Sequence, residues 1–351
     1  MNPAYRDILC ASEADRHGLF LTTAERLGTT LQNVEKDFWV CWTLDALFHH
    51  LPKGGPRLLF KGGTSLSKGY DLISRFSEDI DITVFREDLG VPGNTDELEK
   101  LSKKAQGRRL KAIKEACSAY INGRLMQALS ELGAQGMAEA GLDSNRFTVT
   151  PDEADHDHQT LLLSYPTIAT GDPGYIAPVI KIESGAKSAL DPNAPRQITP
   201  YLAADYQDGQ ALSIPGVTTI DPERTFLDKV LILHGQPIFF EKHGRFYGSG
   251  QISRHYYDIH RLITGPVGQK ACTDNALIDD CLRHARMFFY RKDTGLEHVG
   301  RGAFQLKPSA GMMNALRQDY QSMVTMIFGA VPSFEEVLEN VATAKTSLNK
   351  I

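Results

Sequence analysis

The chain has 351 residues, enough for two lobes or one enlarged domain, and its 42% hydrophobic and 23% charged content excludes a disordered or low-complexity protein. A formal net charge of −5 excludes a surface that is basic throughout, so any contact with a polyanion has to be a local patch. The five cysteines are scattered without CxxC spacing, no apolar leader opens the chain, and no uncharged apolar run reaches membrane-spanning length. Neither a disulfide framework, a zinc site nor a membrane partner is expected, and the cytoplasm is the expected compartment.

Apolar residues at helical spacing, Val34, Phe38, Val40, Cys41, Leu44 and Leu47, predict a buried amphipathic helix that closes before Pro52. Residues 57–61 form a short apolar strand that runs into Gly62-Gly63 and a segment of helical length. Residues 79–85 alternate with period two, as a second strand does. The stretch 95–142 is rich in helix formers and predicts one long or two shorter helices inserted after that strand. It carries Lys100, Lys103, Lys104, Arg108, Arg109, Lys111, Lys114 and Arg124, with Glu115 as the one acid inside the run. This is the best basic patch for nucleic acid, although a solvated helix face has the same pattern.

Short β-rich runs follow at 147–150, 160–165, 175–183, 196–201 and 212–219, separated by Pro, Gly, Asp and Asn. From Pro222 onward, with Asp221 as cap, the chain reads as helical. The expected fold is α+β: a mixed sheet built from two separated stretches and flanked by helices, then a helical C-terminal lobe. The expected domains are 1–220, with N-terminal helices and the helical insertion, and 221–351, helical and contributing to an active-site cleft.

The chemistry concentrates in Phe60-Lys61-Gly62-Gly63-Thr64-Ser65-Leu66-Ser67-Lys68 and Arg75-Phe76-Ser77-Glu78-Asp79-Ile80-Asp81-Ile82. Residues two apart on a strand share a face, so Asp79 and Asp81 set two carboxylates side by side while Ile80 and Ile82 face the core. Adjacent like charges call for a cation, and Mg²⁺ binds through one or two carboxylates plus phosphate oxygens. A glycine turn lets backbone N–H groups approach a phosphate. Each half is weak alone; strand, glycine turn, helix and DxD strand within about thirty residues is a far more specific order. His49-His50 and Asp155-His156-Asp157-His158 read as surface groups rather than metal ligands. Neither a GxSxG elbow nor a Walker A spacing is present.

These residues resemble the nucleotidyltransferase superfamily, and most closely the AbiEii-type toxins of type IV toxin–antitoxin and phage-defence systems. The likeness spans about 30–262. Asn33-Val34-Glu35-Lys36-Asp37-Phe38-Trp39-Val40 is similar to the family's leading helix and Val179-Ile180-Lys181-Ile182-Glu183 to its Lys-x-acid strand. Glu223-Arg224-Thr225-Phe226-Leu227-Asp228-Lys229 resembles its next helix start, and Arg254-His255-Tyr256-Tyr257-Asp258 its last motif. Glu183 stands where Asp is frequent and Asp228 where Glu is usual, changes that keep charge and alter reach.

The resemblance implies a nucleotidyltransferase-like core that transfers a nucleoside monophosphate from an NTP to an RNA hydroxyl, with tRNA 3′ ends leading. It also implies a cognate antitoxin encoded nearby. The implied catalytic set is Asp79, Asp81, Lys181 and Glu183, with Asp79, Asp81 and Glu183 holding Mg²⁺ or Mn²⁺. Lys61, Gly62, Gly63, Thr64, Ser65, Lys68, Asp228, Lys229, Arg254 and Asp258 are the expected nucleotide contacts. The rival readings are a nucleotide-binding regulator or a protein-directed phosphotransferase on the same fold, and a non-enzymatic interaction protein.

Overall fold

The structure, a computed structural model, describes residues 2–169, 177–248 and 250–350. In chain order it forms α1 (Pro3–Cys10), α2 (Glu13–Leu27), α3 (Leu31–Asp45), β1 (Leu58–Lys61), α4 (Gly62–Lys68), β2 (Ile80–Val84), α5 (Thr95–Glu99), α6 (Lys103–Tyr120) and α7 (Met126–Glu139). There follow β3 (Thr148–Pro151), β4 (Thr160–Ser164), β5 (Val179–Gly185), β6 (Asn193–Ile198) and β7 (Ile214–Ile220). Last come α8 (Pro222–His243), α9 (Ser253–Ile263), α10 (Pro266–Thr273), α11 (Asn275–Phe288), α12 (Met313–Met323) and α13 (Phe334–Leu348). Residues 175 and 176 of the predicted strand lie outside the described residues. The inserted stretch is three helices, with π turns at Ala46–His50 after α3 and Ile121–Leu125 after α6. Among the described residues no helix is long and apolar enough to cross a membrane.

The fold is α+β. Seven strands form one mixed sheet in the order β3-β4-β5-β2-β1-β7-β6. β2 runs antiparallel to β1 and parallel to β5, so the first strand pair of the chain is completed by a strand from about a hundred residues later. Two compact units are present: 1–70, 76–93 and 103–219 in the first, 71–75, 94–102 and 220–351 in the second. The sheet belongs to the first. Ile80, Ile82, Ile180 and Ile182, alternating along β2 and β5, are fully buried in its core. In the second unit Phe226 and Val230 of α8, Tyr256 and Ile259 of α9 and Val337 of α13 are buried.

α3 departs from the amphipathic expectation, because it is buried on all sides from Asn33 to Asp45. Its polar face can go inside because each charge there meets a partner. The Glu35 carboxylate accepts from Thr167 Oγ1 at 2.5 Å and Ile168 N at 2.7 Å. Lys36 Nζ lies 2.5 Å from Glu78 Oε2. Asp37 pairs with the Lys68 ammonium at the end of α4 and accepts from Tyr201 N at 2.7 Å. The Lys68 ammonium also stands 3.2 Å over the centre of the Tyr201 ring. Burial works against the Lys68 charge, but Asp37, joined by Tyr201 and Cys41, holds the pKa above that of an ordinary lysine.

Asp37→Ala leaves the Lys68 ammonium buried without its counterion and is expected to cost about 3–5 kcal/mol, whereas removing both charges as Asp37→Leu with Lys68→Met costs much less. Chemical denaturation of both variants reads the difference. Equal losses would mean that the pair's charge is not what the site senses.

Candidate active site

Four neighbouring strands build one row of side chains. Their registers set Lys61 of β1 opposite Asp81 of β2, Asp81 opposite Glu183 of β5, and Glu183 opposite Thr160 of β4. Residues paired across strands lie on the same side of a sheet, so this row faces away from the isoleucine core. Lys181 shares the Glu183 side two residues back on β5, and Asp79 stands two residues before Asp81, immediately ahead of β2. Lys61 Nζ is 3.4 Å from Asp81 Oδ1, and Lys181 Nζ is 2.9 Å from Glu183 Oε1 and 3.8 Å from Asp152 Oδ2. Partial burial opposes the Lys181 charge, but the Glu183 hydrogen bond and the charges of Glu183, Asp79 and Asp152 raise its pKa.

The glycine turn closes over this row. Gly62 has φ +77°, and a side chain there would place its first carbon 1.9 Å from Asp81 Oδ2, so the position requires glycine on two counts. The buried Thr64 hydroxyl donates to the Asp79 carbonyl oxygen and lies 2.9 Å from the Ser77 hydroxyl, which ties α4 to the approach of β2. Ser65 Oγ donates to the Gly62 carbonyl at 2.9 Å and fixes the turn itself.

Among the described residues no three or more His, Cys, Asp or Glu side chains gather closely enough to hold a metal unaided. What the sheet offers is a half-site. The partly exposed carboxylates of Asp81 and Glu183 sit side by side on adjacent strands, with Asp79 beyond. Hard oxygen donors of this kind suit Mg²⁺ or Mn²⁺, ions that complete their shell with water and phosphate oxygens.

The second unit holds a separate, closed cluster. The Asp258 carboxylate on α9 is fully buried and receives Arg75 Nε and Nη2, both at 2.8 Å, and Lys229 Nζ of α8 at 2.9 Å. His255 Nδ1 lies 3.5 Å from the same ammonium. Burial opposes the Asp258 charge, yet the two cations hold its pKa far below the usual carboxylate range. Burial lowers the Lys229 pKa, with Asp258 working against that shift. Burial, Lys229 and Arg254 keep His255 neutral.

The sequence matches the family described as nucleotidyl transferase AbiEii toxin, type IV TA system, over residues 45–340. The chain belongs to the AbiEii nucleotidyltransferase toxin family. It is therefore a nucleotidyltransferase toxin of a type IV toxin–antitoxin system, and the family implies an NTP substrate and an antitoxin partner. Among solved structures the chain is similar to MenT4, a nucleotidyltransferase toxin from Mycobacterium tuberculosis H37Rv, at 14% identity and a TM-score of 0.46, covering 95% of this chain and 90% of that one. No curated protein matches the sequence.

Lys61, Gly62, Asp79, Asp81, Lys181 and Glu183 of this AbiEii-family chain come together on one side of the sheet, with Gly63 in the adjoining turn. Other sequence-stated contacts are used differently. Thr64 and Ser65 are buried, and their hydroxyls shape the turn rather than face a ligand. Lys68 is not available to a nucleotide, since its side chain is 4% exposed and committed to Asp37. Asp258 has no exposed surface, and Lys229 spends its charge on it. Asp228 is half-exposed and lies 3.9 Å from Arg224, and Arg254 stands one turn before Asp258 on α9. Arg75 and Lys36 carried no stated role: Arg75 pairs with Asp258 within the second unit, and Lys36 pairs with Glu78, the residue before Asp79, in the first. The clue to Lys36 was a Glu-Lys-Asp run set directly against Phe38-Trp39-Val40.

Gly62→Ala is expected to push the Asp81 carboxylate out of the row, lowering nucleotide transfer at least tenfold and costing about 1–3 kcal/mol of stability through the left-handed φ and the collision. Unchanged transfer would mean that the turn need not close on Asp81. In the second unit, Asp258→Asn strands two buried cations and should cost about 3–5 kcal/mol at neutral pH. Because the folded pKa of Asp258 is depressed, its contribution is present above the ordinary Asp pKa of about 4 and is lost as pH falls below it. The gap in melting temperature between wild type and Asp258→Asn should accordingly narrow below about pH 4; a gap independent of pH would contradict the cluster's charge assignment.

Proposed function

We propose that this toxin transfers a nucleoside monophosphate from an NTP to a hydroxyl of RNA, with tRNA 3′ ends the leading acceptor, in a reaction dependent on Mg²⁺ or Mn²⁺ held by Asp79, Asp81 and Glu183. The observation that carries the reading is the register that sets Asp81 beside Glu183 under the Gly62 turn. The acceptor oxygen forms a bond to the α-phosphorus, the bond from that phosphorus to its bridging oxygen breaks, and pyrophosphate leaves with that electron pair. A divalent ion bound there would stabilise the developing negative charge and favour loss of the acceptor proton to solvent.

The chain's own residues divide the remaining work. The Gly62-Gly63 backbone can approach the triphosphate because no side chain intervenes. Lys61 and Lys181, the counterions of Asp81 and Glu183 in the free protein, are partly exposed and can turn to phosphate oxygens, where charge-assisted hydrogen bonds are stronger than neutral ones. Lys181→Ala should therefore weaken NTP use while sparing the fold.

Asp81→Asn is the decisive test. It keeps the side chain's shape, removes one negative donor and relieves repulsion with Glu183, so transfer should fall by orders of magnitude while the metal-free melting temperature holds or rises slightly. The partly exposed Lys61 pair it gives up is worth about 1 kcal/mol at most. Incubation of wild type and variant with each labelled NTP, Mg²⁺ and total RNA, beside thermal melts, reads both. A variant that still transfers nucleotide would remove this row from the chemistry. Label found in protein rather than RNA would replace the acceptor.

A further inference from the structure

Outside the site row, the first unit concentrates charge on α6. This helix carries Lys103, Lys104, Arg108, Arg109, Lys111 and Lys114 against Glu115 alone, in a chain of formal charge −5. Its buried positions are Gln106, Ile113 and Cys117. The helical period puts Lys104, Arg108 and Lys111 on the opposite side, where all three are exposed. Two of the other cations are engaged otherwise. Arg109 Nη1 donates to the Pro92 carbonyl at 2.7 Å, and Lys114 pairs with Asp157. Lys111 has Glu115 at 3.6 Å, an exposed i,i+4 pair that competes weakly with a stronger anion.

The helix that carries the ridge is anchored to a strand of the candidate active site. α6 packs against β5, the strand of Lys181 and Glu183. Gln159 joins the two: its side-chain amide donates to the Lys114 carbonyl at 3.1 Å, and its own carbonyl accepts from Ser184 N, next to Glu183, at 3.1 Å. Lys104, Arg108 and Lys111 span about 10 Å along the helix, enough to meet more than one phosphate of a single backbone. No aromatic side chain interrupts them, which suits contact with phosphates rather than reading of bases.

We infer that the outward ridge of α6, Lys104, Arg108 and Lys111, docks the phosphate backbone of the RNA acceptor and delivers it to the Asp81–Glu183 row, an inference that rests on the reading of that acceptor as RNA. The test compares full-length wild type with two triple variants. One carries Lys104→Glu, Arg108→Glu and Lys111→Glu. The other replaces all three with Gln, which keeps helix propensity and guards against misfolding. Binding of unfractionated tRNA is measured from about 50 to about 200 mM salt, and label transfer from NTP to the same tRNA is measured in parallel.

Both variants should melt like wild type, bind tRNA at least about tenfold more weakly at low salt, and show a log–log salt slope reduced by about 2–3. An unchanged slope in a wild type that labels tRNA overturns the ridge and leaves the proposed reaction standing. A wild type that labels no RNA, with variants that still lose affinity and slope, removes the RNA acceptor and keeps the ridge as a phosphate-binding surface. Variants that lose the cognate antitoxin but keep the tRNA slope overturn the inference in favour of an acidic protein partner.

Discussion

The first unit depends on three consecutive buried charges, Glu35, Lys36 and Asp37, near the start of α3. Moving an ion out of water costs several kcal/mol even after relaxation, so a helix that takes three inside is stable only where each finds a partner. Here the partners are dispersed: Thr167 and Ile168, Glu78, and Lys68 with the Tyr201 backbone. An apolar helix could settle in several registers against the same sheet with little difference in energy. Three oriented charges cannot, and their partners include the end of α4 and the residue before Asp79. The constraint that places α3 therefore also places both ends of the segment joining the glycine turn to the DxD strand.

A single sequence reveals some of this and hides the rest for physical reasons. The strand at 79–85 was legible because alternation of period two is a local property, and the helix after Gly62-Gly63 because glycine marks a turn. Strand geometry led to the expectation that Asp79 and Asp81 stand side by side; Asp81 lies on β2 and Asp79 one residue ahead of it. What could not be read is the register between β2 and β5, which lie about a hundred residues apart and pair Asp81 with Glu183. Burial was hidden in the same way. Lys68, Lys229 and Asp258 are charged residues in sequence motifs, and such residues read as ligand contacts until tertiary packing encloses them with counterions. Arg75 was given no role because its partner, Asp258, is 183 residues distant. Nor does linear order suggest that 71–75 and 94–102 pack with the helices after 220.

The site's geometry is a consequence of the core beneath it. Ile80 pairs with Ile182 on the buried side of β2 and β5, and Asp81 pairs with Glu183 on the other. Slipping β2 by one residue would turn Ile80 and Ile82 outward and drive Asp81 into the core, a change that hydrophobic burial and ion desolvation both oppose. The apolar face thus holds two like charges next to each other without any interaction of their own to keep them there. Their mutual repulsion remains as a standing cost, and Lys61 and Lys181 relieve part of it from either flank. Those lysines are tethered to partly exposed carboxylates by pairs worth little in water, so a more highly charged cation can displace them without disturbing the fold. Rigidity in the isoleucine layer and looseness in the lysine pairs are what allow one row of side chains to be fixed in position yet open to exchange of its counterions.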